Sequence, residues 1–338
     1  IPPILWFIIK PVSKLGSILL GRGLRRWLKS PANLHRKQAT IEHFRNRKKY
    51  YILGISGLGA GCYGYYTSHL EIAPITHRKR FILFNSDHLK EIEEFEKKNI
   101  LESCKDKVLA PDHKYTKHAL RIANRLFAAN MHLKEVKDIK WKLTVIESDI
   151  VNACAFPNGD VFVFTGLMDF VKNDDELAFI IAHEMSHSIL QHGAEQMSHS
   201  RIIDVISIAL SLLIWSLVPT DASSILVEKI AENMQDYFFS LPYGRILEKE
   251  ADIVGMILSA RACFDVRYSS FFWKRMNEQS KEDQVPEFLS THPSNVNRAQ
   301  DLEDFLPQAL KIRDECKCYR LPENMNIPKS FMSAKISN

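Results

Sequence analysis

The sequence has few cysteines, and none of them forms a CxxC pair. Six, namely Cys62, Cys104, Cys154, Cys263, Cys316 and Cys318, are scattered over 338 residues. That is too sparse for a disulfide scaffold, and the paired spacing of a structural zinc site is missing. Most are expected to be plain thiols, and Cys316 and Cys318 lie too close in sequence for an easy mutual bridge. Acid is nearly absent from residues 1 to 49, where Glu42 stands alone among 12 Lys and Arg. The rest of the chain then holds 33 basic and 39 acidic residues, so the net charge of +5 belongs to one end. A basic nucleic-acid-binding body is thereby excluded. No uninterrupted apolar run reaches the roughly 20 residues of a comfortable membrane helix. What remains, at 46% hydrophobic residues, is enough for one sizeable domain with appendages.

The most informative stretch is NDDELAFIIAHEMSHSILQH, Asn173 to His192. Asn173 suits an N-cap, Glu176 the capping-box position, and Asp174 and Asp175 the positive helix start, and no proline interrupts the run. Leu177, Ile180, Ile181, Met185 and Ile189 give this helix an apolar face. Positions i and i+4 share a helix face, so His183 and His187 can aim ring nitrogens at one metal ion with Glu184 beside them. An HExxH motif alone is incomplete, because a catalytic zinc needs a third protein ligand.

Residues 1–49 resemble a mitochondrial transit peptide: they are arginine-rich and acid-poor, with apolar patches in IPPILWFII and LGSILLGRGLRRWL. A secretory signal would place its charges before the apolar core. With no initiator Met, the numbering is expected to begin inside a longer precursor. Residues 50–66, YYILGISGLGAGCYGYY, are charge-free, edged by tyrosines and spaced with glycines, and are expected to form a short transmembrane helix. The positive cluster before them keeps residues 1–49 on the matrix side, so the remainder is expected to face the intermembrane space from the mitochondrial inner membrane.

Residues 67–114 read as a polar juxtamembrane brace, and 115–315 as the catalytic domain. Apolar residues at helical spacing (Leu120, Ile122, Ala123, Leu126, Phe127) open that domain, and Trp141 to Ser148 alternate as a strand. Asn152 to Met168 read as two strands around Pro157-Asn158-Gly159-Asp160, a hairpin. Either it packs on the HExxH helix, or its edge strand pairs with an extended substrate backbone. The apolar run Val205 to Val218 is short for a span and is left as a core, re-entrant or interfacial helix. Residues 316–338 look like a polar, partly ordered tail. The fold class is α+β, mostly helical.

LEKEADIVGMILSA, Leu247 to Ala260, is a second helical pattern. If Glu248 completes the site, a zinc ion has two His and one Glu, with a fourth position open to water. Asp252, one turn on, could then take a hydrogen bond from the outer nitrogen of a ligand histidine. Glu250, on another face, is the rival ligand and Glu248 the preferred one. His192 and His199 lie off the ligand face and are expected to be solvated. Phe271, Phe272 and Trp273 are expected in the core.

HEMSH, then Glu248-Lys249-Glu250-Ala251-Asp252 as ExxAD, then THPSNVNR with His292, Pro293 and Arg298, all preceded by the hairpin, resemble the membrane gluzincin family of CaaX prenyl proteases and heat-shock membrane proteases. The resemblance covers roughly residues 115 to 310 and implies a zincin-type protease domain. Its zinc ligands would be His183, His187 and Glu248, with Glu184 as general base and one Zn2+ per chain. It also implies that His292 and Arg298 stabilise the tetrahedral intermediate or anchor substrate, or that His292 caps the metal. Gly244 stands where the family usually has Ser, and Asn158 where a Gly is common; neither is a ligand. The function expected is cleavage of membrane-anchored or misfolded membrane polypeptides at the lipid bilayer in protein quality control, by a chain that could form a homo-oligomer. The alternative is a membrane-bound scaffold or holdase with a structural zinc.

Overall fold

A computed structural model of the chain describes residues 3–84, 86–279, 287–292 and 297–323. Pro293 of the THPSNVNR motif and the tail beyond 323 lie outside them. The described residues form a mostly helical α+β fold. Three helices come first: α1 (Pro3–Lys29), α2 (Leu34–Asn46) and α3 (Lys48–Ser68). The antiparallel hairpin β1 (Leu70–Ile72) and β2 (Lys79–Phe81) follows, then α4 (Ser86–Ser103). Then come α5 (Lys114–Asn130), α6 (Lys134–Asp138), β3 (Lys142–Ile146), β4 (Ala153–Ala155), β5 (Asp160–Phe164) and α7 (Thr165–Phe170). The element order continues with α8 (Asp174–Ile189), α9 (His192–Leu217), α10 (Asp221–Gln235) and a π-helical turn at Asp236–Ser240. It ends with α11 (Leu241–Arg261), α12 (Tyr268–Gln279), α13 (Glu287–Thr291) and α14 (Arg298–Glu315).

Helix α8 starts where the capping residues predict. The Asn173 side chain accepts a hydrogen bond from the Glu176 amide at 2.9 Å, while the Glu176 carboxylate accepts from the Lys172 amide and from both terminal nitrogens of Arg275. A helix start buried without such partners would leave orphan N–H groups. All five apolar residues of its predicted face are buried, each contributing roughly 1.5–3 kcal/mol. They meet α5, α11 and α12, with α11 the principal partner. The aromatic stretch on α12 is core as expected, with Phe272 and Trp273 buried and Phe271 half-buried.

The sheet order is β3-β5-β4, with β3 parallel and β4 antiparallel to β5, which leaves β4 on an edge beside α8. In the turn before β5 only Gly159 takes a positive φ, +93°. The Asn158-Gly159 pair thus departs from the two positive φ angles of a type I′ hairpin. A Cβ at Gly159 would lie 2.4 Å from Ile139 Cγ2, so backbone freedom and space both require glycine there.

The transit-like segment forms α1, which lies along α9. Its basic residues meet acids of α9 and α10: Lys10 with Asp204 at 2.6 Å, Lys14 with Glu228 and Glu232, and Arg22 and Arg25 with Asp221. The glycine-rich run is contained in α3, none of whose residues is buried. The run 205–218 proves to be almost wholly the last part of the 26-residue α9, the helix among the described residues long and apolar enough to cross a membrane.

Most of the cysteines are free thiols as expected, whereas the two histidines expected in solvent, His192 and His199, are not fully exposed. Cys263 and Cys318 form a disulfide across 55 residues, leaving Cys62, Cys104, Cys154 and Cys316 free. Together with Arg313, which donates to the carbonyls of Phe264 and Tyr319, it holds the start of the tail against the α11–α12 turn. His192, expected in solvent, is 2% exposed because Gln191 at φ 51° kinks the chain between α8 and α9 and folds it inward. His199 is half-buried and stacks on Tyr243.

Candidate metal centre

Close packing of α11 on α8 builds the site. Gly255 faces the backbone of His183, where a Cβ would lie 2.9 Å from His183 N. This approach puts Glu248 and Asp252, two turns and one turn earlier on α11, against the HExxH histidines. His183 Nε2 lies 3.2 Å from His187 Nε2, and the Glu248 carboxylate reaches both at 3.5 Å, Oε2 toward His183 and Oε1 toward His187. His292 adds Nδ1 at 3.3 Å from His183 Nε2 and 3.0 Å from Glu248 Oε2. Donors about 2.0–2.1 Å from a tetrahedral zinc are separated by about 3.3 Å, so these spacings suit the ion. The two-nitrogen, one-carboxylate donor set suits it too.

Glu184 is buried next to the donors, and its Oε1 has no hydrogen-bond partner among the described residues. His292 Nε2 is 3.3 Å from that oxygen, outside hydrogen-bonding geometry. A zinc that merely holds a fold does not require such an orphaned carboxylate oxygen.

Around the donors stands a ring of charge. Asp252 Oδ1 is 3.0 Å from His183 Nδ1, the outer nitrogen of that ring. Arg298, also buried, donates to both Asp252 oxygens at 2.7 and 2.8 Å and to Glu248 Oε2 at 3.0 Å. Its guanidinium lies 3.5 Å over the Trp273 ring, whose indole N–H donates to Asp252. Arg298 therefore orders the carboxylates from behind. His292, held by stacking on Phe288, is the residue of the HP...R pair that touches the donor cluster.

Burial raises the Glu184 carboxyl above its ordinary value. Burial also raises Glu248, but the imidazoles of His292 and His187 outweigh it and hold that carboxyl well below the usual range. For His187 burial dominates and keeps the ring neutral. Burial lowers His183 as well, but Asp252 and Glu248 lift it to about 9. A metal ion must displace that proton.

Sequence reasoning thus named every residue of the inner cluster, His183, His187, Glu248 and His292, together with Asp252 and Arg298. Glu250, the rival ligand, points away to Arg78 and His192. Missed was His192, while Trp273, expected as core, also contacts Asp252 and Arg298. The signal for His192 was present in HEMSHSILQH, but only the kink at Gln191 turns it toward His187.

Comparison with known proteins agrees with this geometry. Residues 116–306 match the model of peptidase family M48. The chain is similar to the mitochondrial metalloendopeptidase OMA1 of Homo sapiens, 36% identical over 320 residues that cover 94% of this chain and 61% of that protein. It is 31% identical to OMA1 of Schizosaccharomyces pombe over 276 residues, 81% of this chain and 77% of that one. A third relative, the beta-barrel assembly-enhancing protease of Yersinia pestis, is 29% identical over 161 residues, 46% of this chain and 32% of the other. The chain spans about three fifths of the length of its mammalian relatives. The transit-like N-terminus, the single span expected at residues 50–66 and the segments YTSHLEIAPITHRKRF and RACFDVRYSSFFWKRM are read from the sequence as most like the fungal form of the mitochondrial inner-membrane metalloendopeptidase whose activity overlaps the m-AAA protease; the OMA1 relatives bear out a mitochondrial metalloendopeptidase. With the HExxH and ExxAD helices packed together and the family model spanning more than half of the residues, the chain belongs to peptidase family M48.

Proposed function

We propose that this chain is a zinc-dependent endopeptidase of the mitochondrial inner membrane, with His183, His187 and Glu248 as metal ligands and Glu184 as general base. The observation that carries the reading is the convergence of those three donors beside the orphaned Glu184 oxygen. Bound there, zinc supplies Lewis acidity and makes coordinated water acidic near neutral pH. Glu184 accepts a proton from the attacking water and returns it to the leaving amine nitrogen, and its burial raises its basicity for that task. Asp252 Oδ1, 3.0 Å from the outer nitrogen of His183, is placed to fix that ring. Arg298 is a positioning residue that holds Glu248 and Asp252. His292, within reach of both Glu184 and Glu248, is placed to donate a hydrogen bond to the tetrahedral intermediate.

Substrate would lie extended along the edge strand β4 and add a strand to the sheet. Beside that strand opens a largely apolar cavity of about 720 Å³, walled by Cys154 to Pro157, by Leu89 and Ile92 of α4, and by Trp6 of α1. Such a cavity favours an unfolded or membrane-proximal polypeptide with apolar side chains. Membrane attachment is supported by the length and composition of α9 and by the apolar side chains that α1, α9 and α10 expose, among them Phe7, Leu19, Leu213 and Ile230. A disulfide persists where thiols are not kept reduced, which supports a protease body facing the intermembrane space. The reading extends to membrane-protein substrates in quality control.

Glu184→Gln is expected to retain zinc and fold while lowering kcat by about 10²–10⁴-fold. Glu248→Ala should lose the metal. Proteolysis that survives Glu184→Gln would instead favour a scaffold with a structural zinc.

A further inference from the structure

Behind the metal centre lies a second cluster of buried ionisable groups, His192, Glu195 and Glu250. It has the composition of another cation site, but a cation already sits in it. Arg78, from the hairpin, donates to both oxygens of Glu195 at 2.6 and 2.8 Å and to Glu250 at 2.6 and 2.9 Å. Thr76 donates to Glu250, and the Tyr243 hydroxyl to Glu195 at 2.5 Å. The two carboxylates thus share the Arg78 guanidinium, with Arg80 3.9 Å from Glu195 as a second positive charge, and are ordered by neutral donors.

One free direction of this cluster leads to the metal. Glu250 Oε2 lies 3.2 Å from His192 Nε2, and His192 Nδ1 lies 2.9 Å from His187 Nδ1. Ring chemistry then fixes every proton. His187 presents Nε2 to the donor cluster, so a neutral His187 carries its proton on Nδ1 and donates it to His192 Nδ1. His192, accepting on Nδ1, carries its own proton on Nε2 and donates it to Glu250. Any other assignment in neutral rings sets two N–H groups or two lone pairs against each other.

We propose that Glu250, His192 and Arg78 form an outer chain that holds His187 in the tautomer and orientation metal binding needs, so that the hairpin β1–β2 sets the metal affinity of the site. The proposal rests on the zinc reading above. It gives the two ligand histidines different supports: His183 is held within the body by Asp252, whereas His187 is held from outside it. Arg78 sits in the loop of the hairpin, and β1 begins two residues beyond α3. The hairpin is itself fixed to the C-terminal end of α8 through Arg80, which reaches the Leu190 carbonyl, and its first strand follows the Tyr66 ring that stacks on Phe81. Displacement of the segment after α3 would withdraw Arg78, unbalance Glu195 and Glu250, and loosen the His187 ring.

The test is zinc affinity of the purified full chain in detergent, measured by competition with a chromophoric chelator, alongside the visible spectrum of the cobalt(II) form. His192→Phe keeps the ring volume and removes the acceptor; it should weaken zinc binding by about 10–100-fold. His192→Asn puts a carbonyl oxygen near the Nδ1 position without the link to Glu250 and should restore part of the affinity lost in His192→Phe, which a merely structural role would not do. Arg78→Gln should weaken binding in the same direction and alter the cobalt spectrum. Wild-type affinity in both His192→Phe and Arg78→Gln, with zinc lost in Glu248→Ala, would overturn the proposal and leave the zinc reading standing. Zinc retained in Glu248→Ala would remove both. Should His192→Phe fail to fold, Arg78→Gln decides by the same criterion, since the Arg78 side chain is only partly buried.

Discussion

Gly255 touches the backbone of His183: a Cβ placed on Gly255 would lie 2.9 Å from the His183 nitrogen and 3.0 Å from its Cα. The contact decides how near α11 comes to α8 and therefore whether Glu248 reaches the histidine pair. Alanine favours a helix over glycine by about 1 kcal/mol. Here the clash is with backbone, which cannot rotate away, so Gly255→Ala should move the helices apart. We expect weaker zinc binding and a lower Tm in Gly255→Ala, and a higher Tm with zinc binding unchanged in Gly244→Ala, whose Cβ meets open space. Chelator competition and thermal denaturation check both; equal zinc affinity in Gly255→Ala would mean the spacing is set elsewhere.

Arg298 donates three hydrogen bonds into a buried pair of carboxylates. Its removal leaves Asp252 and Glu248 charged and uncompensated, a loss on the order of 3–5 kcal/mol for a buried pair. Lysine keeps the charge without the fork geometry. Arg298→Lys should therefore recover part of the fold lost in Arg298→Ala but little of the zinc affinity. Comparing Tm with zinc affinity across the two variants separates neutralisation from positioning, and equal recovery of both would argue for charge alone.

How far the sequence could be read follows from which residues sit on single helices. His183, Glu184 and His187 share one helix and a spacing, and Glu248 and Asp252 share another, so periodicity placed each group on a face. Asn173 and the acids behind it announced where α8 starts. The relation between helices was not legible in the same way. His192 follows a left-handed Gln191, and nothing in its residue type announces that kink. Cys263 and Cys318 pair across 55 residues, and spacing alone leaves disulfide connectivity open. The docking of α1 along α9 depends on Lys10, Arg22 and Arg25 finding Asp204 and Asp221 194 to 199 residues away, whereas composition registers only their charge.

Glu93 gives the cavity beside β4 a pH response. The residue is 6% exposed, Oε1 has no hydrogen-bond partner among the described residues, and burial pushes the carboxyl up to about 7. Its folded pKa exceeds the ordinary value of 4.5, so the folded state binds the extra proton between these two values. Stability then falls as pH rises through that window and stays lowered above it. Glu93→Gln removes the burden at high pH only. Its Tm should match wild type below pH 4.5 and exceed it at pH 8, by the equivalent of on the order of 2 kcal/mol. A gap independent of pH would show that Glu93 ionises normally. At pH 8 the wild-type carboxylate should also favour peptides that place a lysine or arginine in this cavity, a preference lost in Glu93→Gln.

The Cys263–Cys318 disulfide closes the chain around α12, α13 and α14, the segment that carries Trp273, His292 and Arg298 to the metal centre. A crosslink over 55 residues restricts the unfolded chain by about 4 kcal/mol in the loop-entropy account, and native sites commonly lose about 2–5 kcal/mol without it. The paired Cys263→Ser and Cys318→Ser variant should therefore melt earlier than wild type. It should also bind zinc normally at low temperature, because neither sulfur touches the donor cluster and α8 meets α11 through their own buried faces. Reductant should lower the wild-type Tm to that of the variant and leave the variant unchanged. If reductant moved both proteins equally, the loss would come from some other effect of the reagent, and the disulfide would contribute little to stability.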